Sequence, residues 1–156
     1  TTDAGGDGQR ERLKVEGAMV RGERGIAQSE KYLFPFERLE VWQESIELAD
    51  VVFGLLERIP PARHLRMVSQ LEGAVTSIAQ NIAEGKGRQH TKEFLQYLSI
   101  AQGSLYETVT LIEVFRRNRI FDEVEYLQIR QRTEQIHRKL SGLINSIRGK
   151  KRGERV

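Results

Sequence analysis

Glu134-Gln135-Ile136-His137 sets an imidazole three residues after a carboxylate, the spacing that supplies ligands to di-iron centres inside helical bundles. Such a centre takes a second copy and two further inward carboxylates. Neither His64 nor His90 follows a glutamate at that distance, so the pair is read as a coincidental surface neighbour pair. Gly85-Lys86-Gly87-Arg88 sets glycines beside cations but lacks the Gly-x4-Gly-Lys-Ser/Thr spacing that wraps a nucleotide phosphate. Ser77 and Ser104 have no histidine–carboxylate pairing near them to activate a hydroxyl. The absence of cysteine excludes disulfides, thiolate metal sites and thiol nucleophiles. Neither a metal nor a cofactor is expected.

An arginine and a histidine on one helix can act on RNA without metal, the arginine holding phosphate and the imidazole moving a proton. Arg132 and His137 loosely match the Arg-x4–6-His spacing of HEPN ribonucleases. Five residues turn a regular helix through about 500°, which leaves those two side chains about 140° apart. Arg130 and His137, seven apart, share a face and make the better pair. A HEPN-like metal-independent ribonuclease is therefore an alternative, and a non-enzymatic protein is the expectation.

Phosphate binding without chemistry needs only clustered cations. Residues 1–36 hold six basic and six acidic groups, and residues 37–147 hold 14 and 15, so both segments are close to neutral. The net charge of +3 comes from the end of the chain, where Arg148, Lys150, Lys151, Arg152 and Arg155 face only Glu154. Lys86, Arg88 and Lys92 lie on a glycine-containing turn. These seven positions (Lys86, Arg88, Lys92, Arg148, Lys150, Lys151, Arg152) are the candidate contacts to a nucleic-acid backbone.

Helices must position them. Trp42, Ile46, Ala49, Phe53 and Leu56 recur at helical spacing, with a second stripe, Val41, Leu48, Val52, Leu55 and Ile59, beside the first. Pro60-Pro61 stops that helix. A second helix is expected from about Ala62 or Leu65 to Glu84, with Gly85-Lys86-Gly87 as a left-handed cap. Thr91 can cap a third, which carries Phe94, Leu98, Ala101, Leu105, Ile112 and Phe115. Asp122 and Glu125 resemble a capping box opening a fourth, with Ile129, Thr133, Ile136, Leu140, Leu143 and Ile147 as its stripe. The pattern predicts an all-α, up-down-up-down antiparallel four-helix bundle over residues 36–148. A flexible arm over 1–35 precedes it and a basic tail over 149–156 follows. The chain opens without methionine, and Met19 is a candidate for the natural start. With no apolar run approaching about 18 residues and no signal-peptide core in the glycine-rich opening, a cytoplasmic location is expected.

The second helix carries a polar stripe, Ser77, Asn81, Glu84 and Arg88, beside the apolar stripe Leu71, Val75, Ile78 and Ile82. Small residues around it, and Gly103 on the third helix, would let neighbouring helices approach. Trp42, Ser77, Asn81, Glu84, Gly85 and Gly103 are therefore expected to serve structure or subunit contacts. Two apolar stripes on the first helix exceed what one bundle core uses, which predicts a homo-oligomer.

The segments Phe36-Glu-Arg-Leu39-Glu-Val41-Trp42-Gln43, Ser77-Ile-Ala-Gln-Asn81-Ile82-Ala83-Glu84-Gly85, Lys92-Glu93-Phe94-Leu95 and Gly103-Ser104-Leu105-Tyr-Glu107 carry a family resemblance. In this order they resemble the four-helix bundle proteins named for genes in the intervening sequences of bacterial 23S rRNA. The resemblance spans about residues 34–148. Ala79 and Gln80 stand where the family usually has Pro and Ser. It implies a ring-like homopentamer. It also implies kinship with the accessory variability protein of diversity-generating retroelements, which binds nucleic acid and a reverse transcriptase through a basic surface. The implied function is a non-enzymatic oligomeric adaptor for an RNA or DNA backbone, with a reverse transcriptase as a further partner. A protein–protein scaffold without nucleic-acid binding is the alternative.

Overall fold

The computed structural model describes residues 31–153, and side chains as far as Lys150. Most of the sequence-predicted arm, residues 1–30, lies outside the described residues, as do residues 154–156. A 3-10 turn at Pro35–Arg38 leads into four helices: α1 Glu40–Leu56, α2 Leu65–Lys86, α3 Thr91–Arg117 and α4 Glu123–Gly153. Proline at its first position presets the turn's backbone, and the Glu37 carboxylate accepts the Phe34 N–H at 2.8 Å.

Cross-helix pairs fix the topology. Ser77 meets Ser104 and Glu84 meets Tyr97, so α2 and α3 run antiparallel. Gln102 meets Ser141 between α3 and α4. Arg58 meets Glu125, Arg132 meets Glu47 and Lys139 meets Glu40 between α1 and α4. Each helix packs on two neighbours, giving the expected up-down-up-down bundle.

The core is layered from all four helices. Leu48, Val52, Leu71, Ile78, Ile82, Leu98, Leu105, Ile112, Phe115, Ile129, Ile136 and Leu140 are essentially inaccessible. Burying one such side chain stabilises the fold by about 1.5–3 kcal/mol. The Phe115 and Phe121 rings meet at 5.0 Å and close the end opposite the α2–α3 turn.

Of the two α1 stripes, the core takes Val41, Leu48 and Val52, joined by Leu56 from the other stripe and by Ser45. Trp42 and Ala49 are half-buried at its edge, and Ile46 and Phe53 are 37% and 38% exposed. Ser45 fits because its hydroxyl donates to the Val41 carbonyl at 2.6 Å. Thr108 solves the same problem by donating to the Ser104 carbonyl.

Several expected boundaries are corrected. Helix lengths run from 17 to 31 residues. The first helix ends at Leu56, before the prolines. The left-handed cap at Gly85–Gly87 is absent: no described glycine has positive φ, Gly85 lies inside α2, and Gly87 caps it with φ −78°. The left-handed residues are His64 and Arg119, both at φ 58°. His90 is the N-cap of α3 and Thr91 its first residue. At α4 the predicted box forms: the Asp122 N–H donates to Glu125 Oε2 at 2.9 Å, and the Glu125 N–H donates to Asp122 Oδ1 at 2.8 Å.

Candidate functional site

The polar stripe of α2 becomes a seam against α3. The Ser77 and Ser104 hydroxyls lie 2.8 Å apart, and Asn81 Nδ2 donates to the Ser77 carbonyl at 2.8 Å and to its hydroxyl at 2.9 Å. One helical turn on, the Glu84 carboxylate accepts from Arg88 Nη2 at 2.5 Å and from the Tyr97 hydroxyl at 3.0 Å. The Arg88 guanidinium also donates to the Tyr97 oxygen at 2.6 Å and stands 4.7 Å from the ring centroid. The Glu84 carboxylate raises the Arg88 and Tyr97 pKa values by favouring their protonated forms. Tyr97 carries no motif signal; only its place opposite Glu84 reveals it.

Gly85 is buried where this seam is tightest. A Cβ there would stand 2.7 Å from Tyr97 Cβ and 3.0 Å from Phe94 Cδ2. Absence of a side chain, rather than backbone freedom, is what this position needs. Gly103 differs: a Cβ there would meet nothing within 4 Å, so it does not mediate close packing inside the bundle. Trp42 packs at the edge of the core with its ring 5.2 Å from Phe36, which stacks on Phe34.

The cations flank this seam. Lys86 Nζ lies 5.8 Å over the Phe94 ring, Arg88 is engaged by Glu84, and Lys92 is exposed at the start of α3. Residues 149–153, assigned to a tail from sequence, continue α4 as helix. Antiparallel pairing brings the end of α4, with Arg148 and Lys150 exposed, to the end of the bundle that holds the α2–α3 turn. Lys151 and Arg152 extend the same helix, their side chains outside the described set. Glu84 and Glu93 temper the positive charge of the turn.

Arg130, Arg132 and His137 do not form one cluster. Arg132 Nη1 turns to α1 and meets Glu47 Oε2 at 3.4 Å. Arg130 and His137 instead line a groove between α3 and α4, as their spacing of seven predicts. Among the described residues no group of three or more acidic or histidine side chains is arranged to hold a metal ion. No described helix is long and apolar enough to cross a membrane.

The fold is an antiparallel four-helix bundle whose second helix, ending in Glu84-Gly85-Lys86, is tied to the third through Tyr97. Residues 37–142 match the family described as 23S rRNA-intervening sequence protein, and the chain belongs to it. It is similar to a crystal structure of a protein of unknown function from the S23 ribosomal protein family of Bacteroides thetaiotaomicron. That match has 25% identity and a TM-score of 0.61, covering 67% of this chain and 97% of the other. No curated protein matches it significantly.

Proposed function

We propose that the protein is a non-enzymatic, homo-oligomeric adaptor that binds the phosphate backbone of RNA or DNA. The observation that carries the reading is the placement of Lys86, Lys92 and the basic end of α4 at one end of the bundle. Arg88 contributes through its exposed edge while Glu84 fixes its position. The exposed Ile46 and Phe53 on α1 supply apolar surface that a second copy can cover. A pentameric ring, as the family resemblance implies, would repeat the cations around its rim and add weak contacts through multivalency. The same basic surface is the proposed contact for a reverse transcriptase in a retroelement setting.

The test is the salt dependence of nucleic-acid binding. The logarithm of affinity for duplex DNA should fall with log salt by roughly 0.9 per phosphate neutralised. Joint replacement of Lys86, Arg88 and Lys92 by alanine should flatten that slope and leave the thermal transition cooperative. Binding that ignores both this variant and removal of residues 148–156 moves the interface elsewhere. No binding at low salt, with an oligomeric mass by light scattering, favours the protein–protein scaffold instead. A monomeric mass at micromolar concentration refutes the oligomer.

A further inference from the structure

A further group of cationic and aromatic side chains lies away from the basic end, between α3 and α4. Side chains of α3 and α4 line a groove of about 380 Å³ there, within the roughly 300–1,000 Å³ of small-molecule sites. Leu105 and Val109 form part of its apolar lining, and Tyr106, 53% exposed, stands beside them. The Tyr106 ring leans on the His137 ring at 5.7 Å, and His137 Nδ1 is buried without a hydrogen-bond partner.

Arg130 and Arg138 reach one point in this groove from opposite directions. Arg130 lies 3.5 Å from one Glu134 oxygen, and Arg138 lies 3.9 Å from the other. Both guanidiniums are ion-paired to that carboxylate at distances longer than a normal charge-assisted hydrogen bond, and neither has another side-chain partner among the described residues. Two guanidiniums held by one carboxylate leave a surplus positive charge at a single spot. A phosphate accepts from such paired forks far better than a lone carboxylate at these distances. The tyrosine face beside it is a stacking surface for a planar heterocycle.

We propose that this groove binds a nucleotide unit, its phosphate between Arg130 and Arg138 and its base against Tyr106. The site is separate from the bundle end that carries the proposed backbone contacts. Glu134 is the built-in competitor: it fills the phosphate position in the empty groove and repels an incoming anion.

That competition gives a test that loss of folding cannot mimic. Titration of the full chain with AMP, adenosine and inorganic phosphate should show saturable AMP binding that is tighter than either fragment. Glu134→Gln should tighten AMP binding. Arg138→Gln, at a largely exposed position, should weaken it by about tenfold. Tyr106→Ala should bring AMP down to the level of inorganic phosphate. The Lys86, Arg88 and Lys92 triple variant should bind AMP unchanged, which keeps this result independent of the backbone interface. A single-stranded oligoadenylate that competes with AMP identifies a nucleic-acid chain as the source of the unit; failure to compete identifies free nucleotide. Absence of saturable AMP binding at millimolar concentration, equal affinity for AMP and phosphate, or a Glu134→Gln variant that does not bind more tightly overturns the assignment. So does a Tyr106→Ala variant that keeps AMP affinity but loses oligomer mass, because a second copy then fills the groove.

Discussion

Gly85 and Tyr97 approach so closely that a Cβ on the glycine would lie 2.7 Å from the Cβ of the tyrosine. The obstacle is the root of a side chain, fixed to the α3 backbone, so rotation cannot relieve it. Gly85→Ala must push α2 and α3 apart. Overpacking of this kind costs about 1–3 kcal/mol, against roughly 1 kcal/mol gained in helix propensity. The net expectation is a thermal midpoint lowered by several degrees. Gly73→Ala, where a Cβ meets open space, should raise it. Equal midpoints for the two variants would refute the packing role.

Asn81 holds both the carbonyl and the hydroxyl of Ser77, and that hydroxyl continues to Ser104 on α3. Asn81→Leu removes two hydrogen bonds at a half-buried position, each worth about 1 kcal/mol. A loss of about 1–2 kcal/mol in chemical denaturation is expected, or dissociation of the oligomer. Unchanged stability and mass with loss of a ligand would assign Asn81 to binding instead.

Glu113 is gripped by Arg116 and Arg117, whose hydrogen bonds hold its carboxyl down at about 2 against an ordinary value of 4.5. A depressed carboxylate stabilises the fold above its unfolded pKa and loses that contribution as pH falls through its folded one. Wild type should therefore melt above Glu113→Gln at neutral pH, by a small margin because the pair is solvated. The gap should close between pH about 4.5 and about 2. A gap constant across that range would mean the ion pairs contribute nothing.

Arg132 faces α1 while His137 lines the opposite groove. Single-stranded RNA incubated with the protein in metal-free buffer should accordingly stay intact. Cleavage by wild type that disappears in His137→Ala would promote Arg130 and His137 to a catalytic pair.

The four helices were legible because their apolar spacing is strong, and α4 began where Asp122 and Glu125 said it would. Periodicity found both faces of α1 but could not rank them. Ser45 interrupts the true core stripe as a polar letter, while exposed Ile46 and Phe53 read as core. Gly85 stands out in the sequence, but glycine near a helix end signals a left-handed cap as readily as the missing Cβ that the packing here requires. His64 and Arg119 adopt positive φ with no glycine to announce it. The stripe Ser77, Asn81, Glu84 and Arg88 was visible on one helix. Its partners Tyr97 and Ser104 depend on α3 packing opposite, as Tyr106 in the groove depends on α3 meeting α4, and one helix's periodicity carries no such register.

The antiparallel α1–α4 seam joins Lys139 to Glu40 and Glu44 across nearly the whole bundle sequence, whereas α2 and α3 are linked by a turn of four residues. The first residues of α1 and the last of α4 leave at the same end. Tension drawing those two ends apart therefore loads the seam one rung at a time, Lys139 first, then Arg132, then Arg58, as a zipper opens. Peeling meets far less resistance than sliding two helices past each other. Mechanically the bundle is a clasp, easy to open from its chain ends while the α2–α3 hairpin stays shut.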